Sequence, residues 1–362
     1  MVKYIQPVTP ATADGLTAQV YAQIKRDFGA LVEPFTLHAP SPPLLAGVWM
    51  AARETELAGE VRRDLKEAVA AAVSRINQCP YCVDAHTMML HATAAHDAAA
   101  AISRKRDDQI EDPTLQALVT WAAATRSPGD PTLLAPPFSE QEAPEIIGTA
   151  VAFHYINRMV SVFLSETPLP SDRGALKPVL KRMAGWYFSR AARRPKQVGA
   201  SLTLLPAADL PADLAWAAAS PTVADAFARW TAVVEEAGQE ALPADVRALV
   251  RERVEAWNGE STGLSRGWVE EAIVDLDEVN RPAARLALLT ALASYQVDEG
   301  VIEVFRTQQP GDDKLIGATA WASFTAARRV GTWLQVPATT LGLPLVSVNR
   351  IKPRNGLIKK EM

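Results

Sequence analysis

Cysteine and histidine are the scarce residues of this chain, with two cysteines and five histidines among 362 residues. Two cysteines three positions apart cannot staple a secreted scaffold. The last cysteine is Cys82 and the last histidine is His154, so everything beyond has neither a thiol nor an imidazole. An excess of one charge is also lacking: the net charge is −4, which gives no global pull toward nucleic acid or an anionic membrane. No apolar run reads as a bilayer span. The opening segment, MVKYIQPVTPATADG, has no apolar core of the signal-peptide kind. The expectation is a cytoplasmic protein with no nucleic-acid or membrane partner. Alternating β-branched runs are few, which argues against sheets. What is abundant is alanine, together with leucine, arginine and glutamate, and these favour helices throughout. A 48% hydrophobic content can fill a sizeable core, and the length suggests two domains.

Helical patterns are expected over residues 17–28, 44–58, 60–77, 80–102, 114–125 and 140–164, with a proline-rich loop over 126–138. Prolines over 167–178 suggest a hinge, and the acid-free basic segment 173–196 reads as a solvated linker face, a subunit contact or an anion site. The second half then restarts the first. Ser41-Pro42 has a counterpart in Ser220-Pro221, Glu60-Val61-Arg62 in Asp245-Val246-Arg247, and Asn77 in Asn258. The segments 114–120 and 285–290 resemble one another, Ile147-Gly148 recurs as Ile316-Gly317, and Phe163-Leu164 as Trp333-Leu334. No single match is strong, but their order holds over about 120 residues, as a divergent internal duplication would have it. The second copy carries Glu260-Ser261-Thr262-Gly263 where the first carries its cysteines, so it reads as structural.

Chemistry therefore concentrates between Glu67 and His86. Asn77 and Gln78 interrupt one helix, and Pro80 suits the first turn of the next because its missing N–H is not needed there. Cys79 is then expected at the N-cap and Cys82 in the first turn, where free N–H groups and the helix dipole would lower a thiol pKa below its usual value of about 8.5. His86, four residues after Cys82, falls one turn further along the same face. Glu67, twelve residues before Cys79, would be roughly 18 Å away along one straight helix. An antiparallel hairpin around Asn77-Gln78 returns it to the level of His86, giving a relay of Glu67, His86, Cys82 and Cys79. The bland alternatives are two inert buried cysteines, a satisfied core histidine and a solvated glutamate. Zinc is disfavoured, because C-x2-C-x3-H-x4-H through His86 and His91 is tighter than the usual finger spacing. No metal and no cofactor are expected.

The spacing Glu67-x11-Cys79-x-x-Cys82-x3-His86 resembles the signature of the alkylhydroperoxidase-like superfamily, which includes the carboxymuconolactone decarboxylase family. The run from Cys79 to Thr87 is closest to its peroxidase-related branch, and His154-Tyr155-Ile156-Asn157-Arg158 resembles that branch's Asn-Arg segment on a later helix. The resemblance covers roughly residues 40–165 and implies an all-α fold: two tandem alkylhydroperoxidase-like helical domains, the second lacking the motif. The domains are expected over 1–170 and 196–362, joined by a basic linker over 171–195. It also implies a dithiol peroxidase that takes a hydroperoxide substrate and an external dithiol reductant and assembles as a homo-oligomer. Cys82 would be peroxidatic and Cys79 resolving, with Glu67 and His86 relaying protons. One departure stands out. Characterised members carry histidine between the cysteines, whereas Tyr81 stands here; a phenol with a pKa near 10 carries protons poorly at pH 7, so Tyr81 would weaken activity or only donate a hydrogen bond. Competing readings are a lactone-decarboxylase-type lyase, which would not need the paired cysteines, and a non-enzymatic redox sensor.

Overall fold

A computed structural model of the chain describes residues 2–165, 183, 188, 189, 191, 194–334 and 336. The expected hinge and nearly all of the basic linker lie outside the described residues. Among the described residues the protein is all-α, with one isolated bridge between Val2 and Leu164 in place of any strand. The first half contains α1 (Gly15–Asp27), α2 (Glu33–Thr36), α3 (Pro42–Ala52), α4 (Arg63–Ile76), α5 (Pro80–Ala92), α6 (His96–Arg104), α7 (Pro113–Ala124), α8 (Pro131–Leu134) and α9 (Ala143–Phe163). The second contains α10 (Pro221–Ala241), α11 (Ala244–Ala256), α12 (Gly267–Ala272), α13 (Arg281–Ala293), α14 (Glu299–Arg306) and α15 (Asp312–Gly331). Several of these helices carry proline in the first turn, where the absent N–H is not needed.

The helix order repeats, as two tandem helical domains require. α3 and α10 both open on Ser-Pro and pack against each other; α9 and α15 close the two units and also pack together. Between them α4 corresponds to α11 and α7 to α13, by the matched segments that open or fill them. Gly148 of α9 lets its helix close on the end of α3, since an added Cβ would lie 2.4 Å from the Thr55 methyl. Gly317 of α15 does the same against α10, 3.1 Å from the Ala237 carbonyl oxygen. The seam between the halves is aromatic: Tyr155 meets Trp230 edge-on at 4.8 Å, and Trp230 meets Phe324 at 4.2 Å.

Three local expectations change. Residues 80–102 form two helices, because the chain turns after Ala92 with Ala94 at φ 73° before α6 begins. Residues 44–58 do not remain α-helical: α3 runs into a π turn, Arg53–Leu57, whose residues Arg53, Glu54, Thr55 and Glu56 are all buried. α9, with 21 residues, is long and apolar enough to cross a membrane, which no run in the sequence was expected to be; 94% of its apolar window is buried inside the protein, so its apolarity is that of a central core helix.

The start of α4 is held from α9. Glu145 accepts hydrogen bonds from the backbone N–H of Glu60 at 2.8 Å and Val61 at 3.2 Å, and pairs with the buried Lys66 at 2.5 Å. Gly59 makes this possible: its φ of 97° and the Glu145 carboxylate, 2.3 Å from any Cβ placed there, leave no room for a side chain.

Candidate active site

α4 and α5 form the expected antiparallel hairpin. Asn77 caps α4, Gln78 turns the chain at φ 54°, and the Cys79 N–H donates to Ser74 O at 2.9 Å. Cys79 is the N-cap of α5 and Pro80 its first residue. Both cysteines are free and buried, with their sulfurs 2.7 Å apart, so a disulfide needs only a small further approach.

The hairpin returns Glu67 to His86. The imidazole Nδ1 lies 2.6 Å from Glu67 Oε2 and 3.7 Å from Oε1 of Glu56, which the π turn delivers from the end of α3. Arg63 completes the group, with its guanidinium 2.5 Å from Glu67 and 3.3 Å from Glu56. Burial alone would raise the Glu67 pKa, but the Arg63 charge and the His86 hydrogen bond more than offset it and hold the carboxyl below its usual range. Burial alone would lower His86, yet Glu67 and then Glu56 raise it above an ordinary histidine. Glu56 is held less closely: Arg63 donates to it only at 3.3 Å, and His86 Nδ1 stands 3.7 Å away. Burial and the Glu67 charge lift it to about 7, against the opposing pull of Arg63 and His86. One carboxyl is thus held below the usual glutamate range and its neighbour is raised to about 7.

Cys82 departs from expectation. Burial, followed by the hydrogen bond and charge of Cys79, pushes its thiol well above the usual range. Removal from water outweighs the helix start at this buried position. The opposing contributions come from Asn157 and Ser74, which favour the charged sulfur. They belong to a buried chain: Asn157 donates to Ser74 Oγ at 3.0 Å, and Asn77 donates to Asn157 Oδ1 and to His154 Nδ1, both at 3.0 Å. With Nδ1 accepting, His154 carries its proton on Nε2, facing Thr125 Oγ1 at 2.9 Å. Burial and then the nearby Arg158 and Arg126 charges hold this imidazole neutral.

Cys82, His86, Glu56 and Tyr81 line one pocket of about 260 Å³. Most of its remaining wall is apolar, from Phe28, Val32, Phe35, Met88, Phe153 and Ile156 among others. The Phe153 ring meets the His86 imidazole edge-on at 4.4 Å. Tyr81 donates its hydroxyl to Glu33 Oε2 at 2.9 Å, and burial together with Glu33 drives its phenol further up, so it holds a hydrogen bond and does not carry protons. His91 faces away from the pocket group, with Nδ1 2.9 Å from His96 Nδ1.

Glu56, Glu67 and His86 place three ligand-type atoms within 4.8 Å of one another. Arg63 already supplies the compensating cation between the two carboxylates, so the set is balanced without a metal ion. Glu56 and Arg63 are the members that the sequence reading missed. Arg63 was legible in principle, since it lies four residues before Glu67 on α4. Glu56 was not, because only the π turn aims it at the site.

The carboxymuconolactone decarboxylase family matches residues 43–124, which span α3 to α7 and contain the whole hairpin. The chain is also 42% identical over 337 residues to the alkyl hydroperoxide reductase Rv2159c of Mycobacterium tuberculosis (strain ATCC 25618 / H37Rv), covering 93% of this chain and 96% of that relative. The similarity therefore runs through both halves.

Proposed function

This chain belongs to the alkylhydroperoxidase-like superfamily that includes the carboxymuconolactone decarboxylase family, and on that premise we propose that it is a thiol peroxidase acting through Cys79 and Cys82. The observation that carries the reading is the pair of free sulfurs, 2.7 Å apart, with Cys82 on the same pocket as a histidine held by a buried glutamate. Activity as an alkylhydroperoxidase-like enzyme accords with the name of the Mycobacterium tuberculosis relative.

The chemistry follows from the positions. Neutral His86 accepts the Cys82 proton, and Glu67 stabilises the imidazolium that results. The thiolate attacks the terminal, hydroxyl oxygen of a hydroperoxide, the O–O bond breaks, and the departing alkoxide takes the proton from His86 and leaves as an alcohol. Cys82 is then a sulfenic acid. Cys79 attacks it, a disulfide forms and water leaves. An external dithiol restores both thiols by exchange, and is itself oxidised to a disulfide. Glu56, titrating near 7, takes or supplies a proton beside His86 during these steps. The apolar wall favours organic hydroperoxides over hydrogen peroxide.

Two units over 1–170 and 196–362, joined by a basic linker, would put a site-bearing and a site-free copy in one chain. Such a fused pair would stand in for a dimer inside a larger homo-oligomer. The test is peroxide turnover with a dithiol reductant against cumene, tert-butyl and hydrogen peroxides. Turnover that requires Cys82 supports the reading; a disulfide that forms without turnover would instead favour a redox sensor.

A further inference from the structure

We infer that a second cavity, on the seam between the two halves, is a binding site for a small oxyanion of the phosphate, sulfate or carboxylate type. It measures about 50 Å³, room for a few waters or one such ion, and is lined by Asn77, Arg126, Asn157, Arg158, Ser261 and Tyr295 among others. Two guanidinium groups share it, and neither forms an ion pair among the described residues. Arg158 is buried on α9, and its hydrogen bonds go to main-chain carbonyls: Nε to Ala291 O at 2.8 Å and one terminal nitrogen to His154 O at 2.5 Å. Arg126, just past α7, likewise bonds to Ile76 O at 3.3 Å and Gly259 O at 2.9 Å, and its Nε is buried with no partner. Both stack over the same indole, Trp257, at 5.5 and 5.7 Å from its centroid.

Such an arrangement is costly when empty, because buried cations are normally paired. Both guanidinium groups are held below the ordinary arginine range. Burial, and then the charge of Arg126, pull Arg158 down to about 9. Burial also lowers Arg126, against weaker opposing contributions from Tyr295 and Glu260. The Glu260 carboxylate is engaged with the Asn258 N–H at 2.9 Å and forms no ion pair with Arg126. Among the described residues no carboxylate lines the cavity, while Gln78 and Ser261 offer an amide and a hydroxyl to complete an oxyanion's hydrogen bonds. The second copy contributes Ser261, from the segment that stands where the first carries its cysteines, and Tyr295. That segment has no thiol, and it forms a wall of this cavity.

The test is calorimetric titration of the full chain with inorganic phosphate at constant ionic strength, with sodium chloride and sodium acetate in parallel, followed by thermal melting at saturation. The expected result is saturable binding of phosphate or acetate and a rise in Tm of about 2–4 °C that chloride does not reproduce. Saturation by acetate alone keeps the site and assigns a carboxylate ligand. Arg126→Gln should weaken binding at least tenfold, while Arg106→Gln, on an exposed side chain paired with Asp108, should leave it unchanged. Arg158→Gln should also abolish binding, and if that variant does not fold, Arg126→Gln decides alone. Equal responses to all three salts, or wild-type affinity in Arg126→Gln, would overturn the inference. Neither outcome depends on peroxide turnover.

Discussion

The two halves share a helix order and a mode of packing, yet cysteine and histidine occur in only one. In the first, α4 and α5 form a tight hairpin around Asn77 and Gln78, and α3 ends in a π turn. In the second, α10 runs as a regular helix to Ala241, and the segment after α11 leads through Gly259 and Gly263 to the short α12 without an α5 equivalent. The scaffold is therefore indifferent to the site. Four central helices, α3, α9, α10 and α15, are held by apolar contact and by glycines at the crossings. The candidate site is an addition to one copy: a hairpin that brings Glu67 to His86, and a π turn that brings Glu56 to both. π turns of this kind are recurrent at functional sites.

That contrast can be broken or sharpened by substitution. The largest effect is expected at the sulfurs. Cys82→Ser should reduce peroxide turnover by about a thousandfold or more with melting unchanged, whereas Thr262→Ala in the corresponding segment of the second half should leave turnover intact. A comparable loss from Thr262→Ala would break the division of labour. Next comes the relay. Glu67→Gln should lower turnover roughly a hundredfold, because His86 loses the carboxylate that raises its pKa. It should also leave Arg63 short of a partner, and a lowered Tm would register that.

A smaller effect, but one more specific to the π turn, is expected from Glu56→Gln. Burial and Glu67 raise the Glu56 pKa from 4.5 to about 7. A raised folded-state pKa gives stability that is fully present below 4.5 and lost as pH rises through about 7. Denaturant titrations between pH 4 and 8 should therefore show wild-type stability declining across that window, with the decline flattened in Glu56→Gln. Turnover in the variant should lose an inflection near pH 7. The smallest effect concerns the matched glycines. Gly148→Ala, driving a methyl to 2.4 Å from Thr55, should cost about 1–3 kcal/mol by overpacking the π turn. Gly317→Ala, at 3.1 Å from Ala237 O, should be close to neutral, since the gain in helix propensity of about 1 kcal/mol offsets the tighter contact. Equal costs at the two positions would show that the π turn is no tighter than its regular counterpart.

The helical architecture was legible because alanine-rich periodicity and Ser-Pro starts are local signals. So was the hairpin, since Asn77, Gln78 and Pro80 interrupt one helix and open the next, and the Glu67–His86 contact follows from that turn alone. Other features depended on tertiary context. The break after Ala92 has no glycine or proline to mark it, and alanine occupies the left-handed position. Arg53-Glu54-Thr55-Glu56 falls within the helix expected over 44–58; it is buried because Asp27, Gln197, Gly199 and Ser201 converge on Arg53 and Glu54. The Cys82 pKa was misjudged for the same reason. A helix start is visible in sequence, but the depth of its burial is not.

The most direct test is a single turnover. The fully reduced protein is mixed with one equivalent of cumene hydroperoxide without reductant, and thiols are counted and cross-links mapped by mass spectrometry. Cys82 attack followed by Cys79 resolution predicts loss of both thiols per peroxide, one cumyl alcohol released, and a Cys79–Cys82 disulfide within the chain. Two thiols still titrating after excess peroxide, or a disulfide formed only between chains, would contradict it.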